Sequence, residues 1–157
     1  MIDRVLLAVE DSPDALAAAR TAVDIARGMR ARLRIVHVLV DHEFDAGLAA
    51  ATGAGREGGG RPAATTILRR VTAIAEAAGV EVETAVLDGG IGQAILDDAR
   101  RWAADLVVLG RSRREASGEP YVGAQTRHVL EFAERPVLVV PHAPSRHRLG
   151  AGPRSPW

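Results

Sequence analysis

Hydrophobic positions fall into five short runs with longer amphipathic or polar stretches between them. Val5 to Val9 is a continuous apolar run, the pattern of a parallel strand covered on both faces, and Leu33 to Val40 reads as a second buried strand with His37 within it. Val80, Val82, Thr84 and Val86 alternate with Glu81, Glu83 and Ala85, so one face of that segment is polar and it reads as an edge strand. Leu106 to Leu109 and Val137 to Val140 complete the set, the last held between Pro136 and Pro141. Helical periodicity fills the intervals: Leu16, Ala19, Val23 and Ala26; Ile67, Val71, Ile74 and Ala78; Ile91, Ile95, Ala99 and Trp102; Thr126, Val129, Leu130 and Ala133. Ser12 and Pro13 supply a helix start, with Ser12 as the expected cap. Gly79 is the expected stop of a helix over 65–78. The order is four βα units and a closing strand, which predicts a doubly wound α/β domain with a five-stranded parallel sheet.

Two segments lack this periodicity. Residues 41–62 contain the Gly- and Ala-rich stretch 46–61, expected to be a mobile surface loop. Residues 142–157 carry Pro, Arg, His and Gly and are expected to form a disordered tail. The chain of 157 residues otherwise suits one domain, 1–141.

Composition narrows the chemistry. Hydrophobic residues make up 47% of the chain and aromatics 3%, so the core is built from Ala, Val, Leu and Ile. Twenty basic residues balance twenty acidic ones, which gives no global field to draw the chain to nucleic acid or a membrane. Every basic residue apart from His is Arg. Without Lys there is no Walker A loop and no Schiff-base or general-base lysine. Without Cys there is no disulfide, thiolate nucleophile or Cys-ligated metal. The first apolar run begins at Val5, a strand rather than a signal peptide, and no run reaches membrane-spanning length. The expectation is a cytoplasmic protein.

Several motifs read as ordinary structure. Gly90 and Gly92 give G-x-G, but Ile95 occupies the third glycine position, so Asp88-Gly89-Gly90 reads as a strand-to-helix turn rather than a dinucleotide fingerprint. His37, inside a strand, reads as a packed, hydrogen-bonded core histidine. His128 reads as a surface residue. No G-x-S-x-G elbow, Ser-His-Asp order or H-E-x-x-H is present, so no catalytic residue and no metal ligand is assigned, and no enzyme is expected beyond slow, incidental turnover.

The segment 105–141 carries the strongest signal. An apolar strand ends at Gly110, the polar run 111–121 follows, Gly123 opens a helix, and a second apolar strand closes the unit. Backbone N–H groups at such a helix start face an anion. Together with Arg4-Val-Leu-Leu-Ala-Val9 followed by Ser12, Val36-His37-Val38, Ala104-Asp105-Leu-Val-Val-Leu-Gly110 and Arg135-Pro136-Val-Leu-Val-Val, this makes residues 2–141 resemble the universal stress protein family.

The resemblance implies strand order 3-2-1-4-5 and a ligand crevice at the carboxyl ends of strands 1 and 4. It implies ATP or another adenine nucleotide there, with magnesium if ATP binds. Adenine and ribose would lie at Ala8, Glu10 and Val38. The phosphates would lie along Leu109, Gly110, Arg113, Gly123, Ala124, Gln125 and Thr126. It also implies a homodimer paired through residues 137–140. The family pattern Gly-x2-Gly-x9-Gly-Ser/Thr keeps Gly110 and Gly123 here but meets Arg113 at the second glycine and Ala124 at the hydroxyl position. Glu10 stands where an Asp is usual. A left-handed backbone at Arg113 would cost about 1–2 kcal/mol, and its side chain would fill phosphate space, although Arg113 or Arg114 could bind a phosphate directly. Arg111, Arg113 and Arg114 also fit a solvated loop balanced by Glu115 and Glu119. Two functions therefore stand: a nucleotide-occupied stress or signalling protein, and a nucleotide-independent homodimeric module.

Overall fold

The computed structural model describes residues 1–10, 12, 15–39, 60–111 and 122–141. Its strands are β1 (Arg4–Ala8), β2 (Arg32–Leu39), β3 (Val82–Asp88), β4 (Leu106–Gly110) and β5 (Val137–Val140). Its helices are α1 (Ala15–Met29), α2 (Arg61–Ala77), α3 (Ile91–Arg101) and α4 (Ala124–Phe132). The strands form one parallel sheet in the order β3-β2-β1-β4-β5, as expected.

Alternation along each strand divides the core in two. Val5, Leu7, Leu33, Ile35 and Val108 point to the face covered by α1 and α2. Leu6, Val36, Val107 and Leu109 point to the face covered by α3 and α4. β1 lies at the centre, with Val5, Leu6 and Leu7 at 0% exposure, which explains why it reads as an unbroken apolar run. The stripe of α1 is mostly alanine, with Ala15, Ala18, Ala19, Ala22 and Ala26 buried, so the helix can approach the sheet closely.

Several local expectations shift. Gly28 lies inside α1, and Arg30, with φ 56°, turns the chain after it. Ser12 does not cap through its hydroxyl, which donates to Glu10 Oε1 at 3.1 Å; its carbonyl accepts from Ala15 N instead. α2 begins at Arg61 rather than Thr65, because Gly60 and Pro62 form its N-terminal turn. Gly79, at φ 72°, does end that turn. The edge strand is displaced by two residues to Val82–Asp88, and Val80 is buried just before it. In α4, Thr126 and Val129 are buried, but Leu130 is 45% exposed: the short helix sets 126, 129 and 133 toward the sheet, and Leu130 falls off that stripe. The rest of the 41–62 segment and the 142–157 tail lie outside the described residues.

The polar face of β3 has a partner that periodicity alone does not reveal. Arg34 on β2 reaches Asp98 of α3 through Nε at 2.7 Å and a second nitrogen at 3.1 Å, and Glu83 of β3 at 3.1 Å. The Asp98 side chain is only 2% exposed. Trp102 donates from its indole to Glu83, and Arg4 and Arg34 lie over its ring. The hydrogen bond to Asp98, more than any other influence, raises the Arg34 pKa above its ordinary value. At the same end of the sheet, Asp105 Oδ2 accepts from the backbone N–H groups of Asp3 and Arg4 at 2.9 and 3.0 Å, joining the starts of β1 and β4. The Asp3 N–H is the main reason the Asp105 pKa is lowered, with Arg4 N–H acting in the same direction.

Arg34→Met leaves Asp98 buried without its main counter-charge and is expected to lower unfolding stability by about 3 kcal/mol in urea titrations. Arg34→Met combined with Asp98→Leu is expected to recover most of that loss. Asp105, with its depressed pKa, stabilises the fold above the ordinary carboxylate range, and that contribution disappears as pH falls through its folded value. The stability gap between the native chain and Asp105→Ala should therefore be constant near neutrality and close below about pH 3.8. A gap unchanged down to pH 2 would contradict this.

Candidate functional site

β1 and β4 are neighbours, but the chain leaves them toward opposite faces: α1 packs with Leu7 and Val108, α4 with Leu6 and Val107. Among the described residues no crossover covers the gap at their carboxyl ends, the place where open α/β sheets hold ligands. A cavity of about 290 Å³ opens there, near the lower end of the range for small-molecule sites.

Nine of the ten residues expected at the site line this cavity: Ala8, Glu10, Val38, Leu109, Gly110, Gly123, Ala124, Gln125 and Thr126. The tenth, Arg113, lies outside the described residues. Sequence reading missed His37, Arg111 and the apolar wall of Ile91, Ile95 and Val129. Ile91 and Ile95 were legible only as core positions of α3. Arg111 reads in sequence as part of a solvated loop, yet its Nε is closed off from solvent and has no hydrogen-bond partner among the described residues. Its backbone N–H donates to Val140 O at 2.8 Å, which ties the cavity rim to β5.

His37 is buried and hydrogen-bonded, as expected. A carbonyl can only accept, so Nδ1 donates to Val9 O at 2.9 Å. The neutral ring then has Nε2 as its acceptor. The bond extends the hold of β2 on β1 past the ladder, where Val9 N donates to Val36 O at 2.9 Å, and so fixes the chain entering Glu10.

The α4 N-terminus forms another wall. Gly123 is its N-cap and makes no side-chain capping bond. It also has no positive φ; its backbone is extended at φ −59°, ψ 159°. Gly110 likewise has no positive φ, and a Cβ there would meet Ala18 Cβ at an ordinary 3.7 Å. The fold itself does not require glycine at position 110.

The glycines around α3 have structural roles. Gly89, at φ 112°, makes the turn, as the strand-to-turn reading expects. Gly92 lies in α3 against His128, where a Cβ would come within 2.7 Å of the ring. His128 is therefore no plain surface residue: its ring packs on Gly92 and Phe132, and its Nε2 is closed off without a partner among the described residues. Gln125 Oε1 accepts from Gly92 N at 3.1 Å, so this cavity residue also caps α3. Among the described residues, no group of three or more His, Asp or Glu side chains is arranged to hold a metal, and no helix is long and apolar enough to cross a membrane.

The fold agrees with the comparison to known proteins. The model of the universal stress protein family matches residues 1–141, and the chain belongs to that family. It is 28% identical over 144 residues to universal stress protein MJ0531 of Methanocaldococcus jannaschii, covering 87% of this chain and 81% of that one. A 64-residue stretch is 39% identical to universal stress protein Sll1388 of Synechocystis, covering 41% of this chain and 42% of that protein. Among solved structures, UspA of Lactobacillus plantarum superposes with a TM-score of 0.72 at 25% identity, over 88% of this chain and 97% of that one. Two more distant structures, each 22% identical, share the fold and were solved with nucleotides. One is a universal stress protein in complex with cAMP (TM-score 0.66, covering 90% and 98%). The other is from Archaeoglobus fulgidus, in complex with dAMP (TM-score 0.62, covering 89% and 98%).

Alanine normally favours a helix over glycine by about 1 kcal/mol. At position 92 the contact with His128 should reverse the sign. Gly92→Ala is expected to destabilise the fold by about 1–3 kcal/mol through overpacking, and His128→Ala in the same chain to remove most of that cost. Thermal or urea unfolding of the three variants checks it; a stabilised single variant would show that the α3–α4 contact has room to spare.

Proposed function

We propose that this chain is a stress-response or signalling protein whose state is set by an adenine nucleotide in the crevice between β1 and β4. The observation that carries the reading is Gly110, a glycine that the fold does not require at the rim of a cavity walled by an uncapped helix start. A missing side chain there leaves room for a ligand, and the first-turn N–H groups of α4 suit an anion. Ala8, Val38, Ile95 and Leu109 offer an apolar bed for the base, and Glu10 accepts hydrogen bonds from a ribose. The cAMP and dAMP held by two distant relatives support the same ligand class. If the ligand is ATP, magnesium accompanies its phosphates.

Occupancy, not turnover, is the output. His37 is engaged with Val9, and we assign no catalytic residue. The compartment consistent with this reading is the cytoplasm. A second copy fits the open side of β5. That strand ends the sheet, its four residues are each only partly buried, and a paired edge would cover them. A homodimer through residues 137–140 is compatible with an occupied or an empty crevice.

Gly110→Ala separates these readings. The variant is expected to keep its melting temperature and to bind adenine nucleotide at least about tenfold more weakly by calorimetry, since it adds a methyl group to a residue that lines the cavity. No binding by the native chain at millimolar nucleotide would leave only the nucleotide-independent dimer, and equal affinity in the variant would remove Gly110 as the support for the nucleotide reading.

A further inference from the structure

Charge balances over the whole chain, but the fold sorts it by face. α1 and α2 lie side by side on one face of the sheet, each with its apolar stripe turned inward. Arg20 and Arg27 on α1 and Arg61, Arg69 and Arg70 on α2 are all exposed, and exposed Arg30 follows the end of α1. The exposed acids on these two helices are Asp24 and Glu76. The helices on the opposite face are balanced: Arg100, Arg101 and Arg127 stand against Asp97, Asp98 and Glu131. The arginines also differ in their engagement. Arg32, Arg34, Arg100 and Arg101 each hold an acid within ion-pair distance. Among the described residues, none of the six arginines on the α1–α2 side does, although Asp24 sits one turn from both Arg20 and Arg27.

Exposed guanidinium groups spread over one broad face, with few acids between them, suit a partner that is itself a surface of negative charge. We propose that the α1–α2 face docks the protein on an anionic lipid bilayer. The composition of the face favours lipid over nucleic acid. Neither helix contains an aromatic side chain on which a base could stack. Both are packed along the sheet, so neither stands out as an element to enter a groove. The residues between the arginines are small or apolar: Ala73 and Ala77 are exposed on α2, and Met29 is 53% exposed at the end of α1. Such side chains can rest against a headgroup layer without giving up hydrogen bonds to water, while the longer arginines reach the headgroup phosphates and carboxylates. The crevice opens at the carboxyl ends of β1 and β4, not on this face, so docking does not require a nucleotide.

Vesicle flotation of the full chain tests this. Phosphatidylcholine vesicles with about 30 mole percent phosphatidylserine should carry the protein at about 50 mM salt and release it as salt rises to about 0.5 M. Vesicles of phosphatidylcholine alone should carry none. Arg69→Gln combined with Arg70→Gln should weaken partitioning about tenfold. Arg127→Gln combined with Arg135→Gln removes the same charge elsewhere on the surface and should leave partitioning unchanged. All four side chains are exposed, so both double variants should unfold at the native midpoint. A duplex oligonucleotide added to loaded vesicles should fail to displace the protein. No binding to the anionic vesicles, equal binding to the neutral ones, binding that ignores salt, equal loss in the two double variants, or displacement by the duplex would each overturn the docking of this face on lipid.

Discussion

The reversal of strand order beside β1 is the constraint on which the other features depend. A parallel strand must be followed by a crossover on one face or the other, and here the two central strands choose opposite faces. Neither α1 nor α4 can then cover the seam between them. The seam is open because of connectivity, before any side chain is specified. The burial of β1 makes that possible: Val5, Leu6 and Leu7 fill both layers at once, and the alanine stripe of α1 lets the first crossover lie close to the sheet.

The remaining polar interactions fix the parts that border the seam. Asp105 holds the starts of β1 and β4 in register from below, through two backbone N–H groups. His37 holds the exit of β1 from above, through Val9 O. Gln125 joins the start of α4 to the start of α3, and His128 packs on Gly92 beside it. The wall that offers backbone donors is therefore braced on its neighbour. A ligand meeting that wall would find donors already oriented, with little ordering left to do. The Arg34–Asp98 pair serves a different end, allowing a polar edge strand to sit over a helix without leaving a carboxylate buried alone.

Much of this was legible in the sequence, for identifiable reasons. Continuous apolar runs marked the central strands, alternation marked β3 as an edge, and the two glycines spaced around a polar run marked the walls of the crevice. What escaped depends on groups far apart in the chain. Arg34 and Asp98 lie 64 residues apart, and neither position has a local pattern to announce a buried pair. Gly92 looked like part of a failed nucleotide fingerprint until its contact with His128, on another helix, was visible. Arg111 read as part of a solvated loop because its neighbours are charged, whereas its N–H extends the β4–β5 pairing and its Nε is closed off from solvent. Helix ends moved by a turn where Gly60 and Pro62 lay in what composition marked as loop.

The most direct measurement is an amide-resolved NMR titration of the full chain with AMP. The account predicts saturable shifts concentrated at the N–H groups of Gly110, Arg111 and 123–126, at one end of the sheet. Shifts confined to other regions, or spectra unchanged at millimolar AMP, would contradict it.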